Sequence, residues 1–451
     1  MYRLIVAIGC SLFLLSGSFA QEPADFNRIN NETYRFYTEQ KWDSLILLDK
    51  EEVVAKVDYY YLRMRLGIAH YNTKNYRKAV SHFTKALEFN QGDQVALEYL
   101  YYSRLFLGQH AQAALVREEF KGAMAQKLPP QKGEFFDRIT AEYLYHRGTD
   151  EPLYEYLGDV LQPGQTGAQS LTRHYSNTSL SLVNMLAPGV TLQHTYTRLS
   201  KLNQNVYSNG TGGYYMGEQQ VIQNQYYISP RITTSSGSTF SPMFHLLGIR
   251  YQVPVEASSG YQGGSSQETV VYVKETDFAT GLGFQKGLGP VDLHLGAWYS
   301  QLNLANQLQG RFGLNWFPKG NLNLYVGGFL NGQYEFSDGR EGMVRLIPEV
   351  LFGFAIANKV WIDLNATLGD MTNYLETNGM IVFNSFSEVI HKKIKCSVII
   401  PFTEKGSSFY MGGIWTANSS EFYAFDPIIT ELTNTISYNA FSIYGGISWK
   451  F

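Results

Sequence analysis

Along the C-terminal two thirds of the chain, apolar residues recur at every second position. Val360, Ile362, Leu364, Ala366 and Leu368 alternate with Trp361, Asp363, Asn365 and Thr367. Leu322, Leu324, Val326, Gly328 and Leu330 alternate in the same way with Asn323, Tyr325, Gly327, Phe329 and Asn331, and Val291, Leu293, Leu295, Ala297 and Tyr299 with Asp292, His294, Gly296, Trp298 and Ser300. A period of two with one apolar face predicts strands whose two sides meet different surroundings. The runs are separated by turn signals such as Ala187-Pro188-Gly189, Ser235-Ser236-Gly237, Lys286-Gly287 and Lys319-Gly320-Asn321. Many reach the length of about ten tilted residues that spans a bilayer, which favours a transmembrane barrel over a soluble sandwich. About fourteen runs are readable between residues 171 and 450, with 378–385 among them and twelve strands as the fallback for an even-numbered barrel. That count carries a conflict. With both termini at one end, the long segments 201–219 and 253–267 fall on the periplasmic side, where turns should be short.

Upstream of residue 165 the period changes. Leu66-Gly67, Tyr71, Tyr76, Ala79, Phe83 and Ala86 form a small-and-large alternation in which Gly67, Ala79 and Ala86 let two antiparallel helices approach while the aromatics fill the space between them. Leu100, Tyr101, Leu105, Gly108 and Ala113 continue the pattern, and Tyr37, Trp42 and Leu45 precede it. A further helix pair reads in Glu134 to Arg147 and Glu151 to Leu161.

Charge sharpens the division into two domains. Residues 21–165 hold 39 charged side chains in 145, against 35 in 286 for residues 166–451, while glycine rises from 8 to 32. The expected architecture is therefore a helical domain over 21–165, joined near Leu161-Gln162-Pro163-Gly164 to an antiparallel β-barrel over 166–451. A net charge of −3 offers no basic surface for nucleic acid. Residues 1–20 combine Arg3, an apolar core from Leu4 to Leu15 and the small-x-small end Ser18-Phe19-Ala20, which predicts a cleaved signal peptide and a mature chain from Gln21. A lipoprotein reading of Ala7-Ile8-Gly9-Cys10 leaves too short an apolar core. Cys396 then stays as a lone, inert strand cysteine with no disulfide partner.

Three resemblances follow. The spacing over Tyr60 to Asp93 resembles a tetratricopeptide repeat, although Arg63 stands where Trp is usual and Gln91 where Pro usually closes the second helix. It implies a groove for a peptide or partner helix, built by Tyr61, Met64, Ile68, Tyr71 and Asn72 and continued by Glu98, Tyr102 and Leu105. The bland alternative is that these side chains pack against neighbouring helices or the barrel. Phe451, with Trp449, Ile447 and Ile443 on its face and Gly446 behind, resembles the C-terminal strand signal of bacterial outer-membrane barrels, which implies recognition by the barrel-assembly machinery and residence in the lipid bilayer. The chain as a whole resembles Gram-negative outer-membrane proteins that carry periplasmic tetratricopeptide repeats ahead of a barrel.

Chemistry is sparse. Phosphate loops, nucleophile elbows and zinc spacings of Cys and His are absent, so neither cofactor nor metal is expected. His194, near Thr195, and His294 are the candidates for a lipid-modifying barrel enzyme, against the blander reading of hydrogen-bonded wall histidines. Asp292, Asp363, Glu349, Lys395 and Lys450 are read as inward-pointing, lining a channel or pairing into a plug. The expected function is a non-enzymatic scaffold whose periplasmic helical domain recruits a periplasmic or outer-membrane protein partner for secretion, export or envelope assembly. The alternatives are a porin-like channel for a small solute and, third, the barrel enzyme.

Overall fold

The computed structural model describes residues 23–49, 56–127, 135–155, 157–160, 166–209, 214–255, 269–336, 342–357, 359–385, 388–403, 406–424 and 435–451; the expected signal peptide lies outside them. The chain divides into two compact units, residues 1–103 and 104–451.

The first unit is helical. Helices α1 (Pro23–Thr38), α2 (Trp42–Leu48) and α3 (Tyr60–Asn72) enclose a core of Ile29, Leu45, Leu48, Val57, Leu62, Leu66 and Ala69. Next, α3 pairs with α4 (Tyr76–Phe89), where Asn75 caps by accepting the Lys78 amide at 3.3 Å. A β-carbon at Gly67 would lie 2.7 Å from the Phe83 ring, so the small residue is what lets the two helices meet. Asp93 then starts α5 (Gln94–Phe106) by accepting the amides of Val95 and Ala96, both at 2.8 Å.

The second unit adds α6 (His110–Arg117), α7 (Gly122–Lys127) and a closed antiparallel barrel of fourteen strands. These are β1 (Phe136–Gly148), β2 (Thr166–Ala187), β3 (Val190–Asn209), β4 (Tyr214–Thr233), β5 (Ser238–Val255), β6 (Thr269–Leu288), β7 (Val291–Leu302), β8 (Ala305–Trp316), β9 (Leu324–Phe336), β10 (Met343–Ile356), β11 (Val360–Leu368), β14 (Glu388–Pro401), β15 (Ser408–Glu421) and β17 (Thr435–Lys450). A short hairpin, β12 (Tyr374–Glu376) and β13 (Ile381–Phe383), pairs only with itself, and β16 (Tyr423–Ala424) adds to the edge of β2. A short helix α8 (Glu151–Glu155) follows β1. The ring closes because β1 pairs with β2 on one side and with β17 on the other, Arg138 opposite Lys450 and His146 opposite Ser442.

Two elements differ from the sequence expectation, and their errors cancel in the strand count. Of residues 134–147, expected as a helix, 136–147 lie in β1. Its charges disguise a period of two, with Arg138, Thr140, Glu142 and His146 on one face and Ile139, Ala141, Tyr143 and Tyr145 on the other. Residues 378–385, expected as a wall strand, belong instead to the separate hairpin. Adding a strand at the start of the ring inverts the ends of the strands after it. The short connections after β2, β4, β6, β8, β10 and β14 now share one end with both barrel termini, and β3 and β5, which lead into the segments 201–219 and 253–267, end at the other, which resolves the conflict.

The wall is inside out relative to a soluble domain. Val326, Leu330, Leu346, Val350, Leu364 and Ile394 are exposed on its outer face, while Gln307, Gln309, Asn331, Gln333, Thr367 and Ser397 are buried within. This alternation, the closed ring and the short turns at one end define an outer-membrane β-barrel. On the C-terminal strand, Ile443, Ile447, Trp449 and Phe451 are exposed on the outer face, and Gly446 lies where a β-carbon would strike the Tyr410 ring. Cys396 is also exposed on the outer face of β14.

Val350, outward near the middle of β10, gives a direct test of this orientation. Val350→Arg is expected to cost about 2 to 4 kcal/mol of barrel stability in bilayers, read by denaturant titration of heat-modifiable migration. An Asn331→Gln exchange on the polar inner face is expected to leave the lipid contact unchanged; equal losses from the two substitutions would contradict a lipid-facing exterior.

Candidate functional site

The barrel lumen is occupied by residues 369–385, which belong to the connection between β11 and β14. An Asn378-Gly379 turn, with φ of 54° and 74° and the Met380 amide donating to the Thr377 carbonyl at 3.2 Å, folds this connection into its hairpin. Thr377 is left-handed too, at φ 52°, so three such residues in succession turn the chain between Glu376 and Ile381, the innermost pair of the hairpin.

Contacts reach the hairpin from most of the ring. On β8, the Gln309 amide donates to the Leu375 carbonyl at 2.7 Å and its oxygen accepts the Leu375 amide at 3.0 Å, so one side chain mimics a strand neighbour. From β9, Gln333 donates to the carbonyls of Thr372 and Asn373 at 3.1 and 3.2 Å. Toward β4 and β5, Tyr227 donates to the Asn378 carbonyl at 3.2 Å and His245 Nδ1 lies 2.9 Å from the Gly379 carbonyl. Asn384 donates to Gln223 at 3.2 Å. Leu375, Met380 and Val382 cover an apolar patch of Tyr227, Met243, Leu247, Ala279, Trp298 and Leu302, and Tyr374 packs with Met371 against Ile347.

Several charges in the lumen are paired. Arg345 joins Glu335 at 2.9 Å and Asp370 at 2.7 Å, Arg311 joins Glu349 at 2.8 Å, and Lys393 pairs with Glu376 of the hairpin. At the hairpin's base, buried Glu388 accepts from the Thr172 amide and hydroxyl and the Tyr438 hydroxyl, and from Lys201 and Ser385 at 3.2 Å each. This knot ties β2, β3 and β17 to the point where the hairpin rejoins the wall.

Within the same unit, α6 lies at the end of the barrel that carries the short turns. Leu115 meets Gly189 after β2 and Gly108 meets Leu322 after β8, on nearly opposite sides of the ring. His110 sits beside Lys450 and Arg138; burial, reinforced by those two charges, pushes its pKa down to about 4.

Among the residues singled out in the sequence, Glu349 carries an ion pair and Asp363 accepts from Tyr325. Lys395 lies over the Tyr444 ring at 4.8 Å, Asp292 is buried, and Lys450 lies near His110. His294 accepts from Asn315 at 3.1 Å. His194 lies 2.9 Å from the exposed Tyr226 hydroxyl, whereas Thr195 is buried on the opposite face, so the structure does not bring the pair together. In the helical unit Tyr61 is 61% exposed, Met64 and Ile68 are buried, and Asn72 is exposed with its amide on the Ile68 carbonyl. Tyr71, its phenol pushed up to about 12 by burial and by the neighbouring Tyr76 and Tyr99, shares its surroundings with Glu98 and Tyr102. The lumen hairpin was missed because period two describes a hairpin as well as a wall strand; its available signal was Asn378-Gly379 inside the supposed strand.

No family model matches the chain, and no curated protein sequence does. Among solved structures, the P. putida toluene transporter TodX is similar at 10% identity, with 73% of this chain and 92% of that one covered and a TM-score of 0.45. A Pseudomonas aeruginosa FadL homologue is similar at 7% identity, covering 70% and 90%, with a TM-score of 0.42. The translocator domain of the autotransporter NalP from Neisseria meningitidis stands at 9% identity, 77% and 99% coverage and a TM-score of 0.32.

The expectation of a scaffold or assembly factor is corrected here. The chain itself shows a polar-walled lumen with a discrete internal segment, which an anchor does not require.

Tyr374 is fully buried, and its truncation isolates the hairpin from the wall. Tyr374→Ala is expected to cost the hairpin about 3 to 5 kcal/mol and to expose 369–385 to hydrogen exchange while the strands stay protected. His110 gives a pH dependence. Its folded pKa lies below the unfolded value of about 6.5, so its contribution is complete above that pH and is lost as pH falls from about 6.5 toward 4. Hydrogen exchange in α6 is expected to rise over that window, and His110→Gln is expected to flatten the rise.

Proposed function

We propose that the chain is a non-enzymatic outer-membrane channel for a small solute, gated by the hairpin within residues 369–385. The observation that supports it is the way the hairpin is held. Its polar contacts run to Gln309, Gln333, His245 and Tyr227, groups that water or a passing solute can satisfy when the hairpin leaves. The segment is continuous with the wall at both ends, so it can withdraw without breaking the ring.

The short-turn end, where α6 lies, faces the periplasm in this reading, as in other bacterial barrels. The close approach of α3 and α4 at Gly67 and Phe83 supports a tetratricopeptide-like hairpin within the helical unit. The lumen supplies passage, and the residues around it act by hydrogen bonding and exclusion rather than by bond making.

Planar-bilayer recording tests the gate. The wild-type barrel is expected to be mostly closed with brief openings, and replacing residues 370–385 by a short Gly/Ser link is expected to give a steady conductance several-fold higher. Equal conductance from folded wild-type and linked barrels would refute the gate.

A further inference from the structure

The helical unit contains a cluster that the channel does not use. Asp49 follows α2, His70 lies in the last turn of α3, and His82 lies in α4. Their side chains are 12%, 4% and 5% exposed, and one potential ligand atom from each lies within 4.8 Å of the others. A single oxygen, Asp49 Oδ2, is 3.3 Å from His70 Nε2 and 3.4 Å from His82 Nε2, and the two rings stack 11° from parallel.

We propose that Asp49, His70 and His82 form a binding site for one divalent transition-metal ion of the zinc class. The two separations from Asp49 favour it. Ligands about 2.0 to 2.1 Å from a tetrahedral centre stand about 3.3 to 3.4 Å apart, whereas a good charge-assisted hydrogen bond to a carboxylate is about 2.7 to 2.9 Å long. Two imidazoles and one carboxylate select zinc, cobalt or nickel over magnesium or calcium, which take oxygen. Nδ1 of His70 is buried without a hydrogen-bond partner, so no neighbour on that side decides which ring nitrogen carries the proton. Three protein ligands leave a fourth position for water.

Two cations stand nearby. Lys78 Nζ lies 3.8 Å from Asp49 Oδ2, but its side chain is 56% exposed and can turn to water as the metal arrives. Arg63 lies 3.3 Å from His82 Nδ1 and already holds Asp58 through two hydrogen bonds of 2.6 and 2.8 Å. For Nε2 of His82 to bind, the ring moves its proton to Nδ1 and Arg63 settles on Asp58, with no net proton released by that step. The ion then joins α2, α3 and α4 at one point and stabilises the helical unit by its binding free energy.

The test uses the full chain in detergent, washed with chelator and titrated with Zn²⁺ by calorimetry and with Co²⁺ by visible absorption. One equivalent with a tetrahedral Co²⁺ spectrum is expected. His70→Gln, His82→Gln and Asp49→Asn should each weaken binding at least tenfold. Lys78→Met, which leaves the three ligands in place, should tighten it several-fold, so the proposal stays testable even where a ligand variant loses its helical structure. No saturable binding by the wild-type chain, or binding that none of the four substitutions changes, would make the cluster a hydrogen-bond network alone.

Discussion

The pairing of β1 with β17 is the constraint on which the barrel depends. Hydrocarbon offers no water to an unpaired amide or carbonyl, so a sheet that spans it has to close on itself. Once Arg138 to Gly148 face Ala440 to Lys450, the rest is fixed. The ring is even, its ends alternate between short and long connections, and outward residues are apolar because they meet lipid. Gln309 and Gln333 point inward for the same reason that they would point outward in a soluble sheet.

Closure also creates the space that the lumen elements occupy. A ring of fourteen strands is wider than wall side chains can fill. Here the space takes a hairpin with its own apolar face, Leu375, Met380 and Val382, set against the apolar patch around Trp298. Polar contacts frame it, and ion pairs such as Arg345 with Asp370 bring charge into the interior without leaving it unpartnered. Such pairs add less stability than specificity of position: with Gln309 bonded at both ends of its amide, a shift of the hairpin by one residue breaks two bonds at once.

Much of this architecture was legible in the sequence. The outward placement of Val326 and Leu364 follows from alternation, and the meeting of Gly67 with Phe83 follows from residue size. Strand β1 was hidden because a polar-lined lumen gives its strand Arg138, Glu142 and His146, the charge content of a soluble helix. Residues 378–385 were legible as β structure but not as lumen, since local alternation records that a strand has two faces and says nothing of which wall it joins. His70 and His82 are distant from Asp49 along the chain, and only the packing of three helices makes them neighbours.

The attachment of the hairpin at both ends has a kinetic consequence. A plug tethered between Leu368 and Glu388 is never diluted: on leaving its seat it remains at an effective concentration set by its two short linkers, on the millimolar scale. In the proposed channel, a solute that holds the lumen open by occupying the same groups competes with this internal rival, which raises the solute concentration needed for half-maximal opening. Reclosure, being intramolecular, is independent of how many barrels the membrane contains.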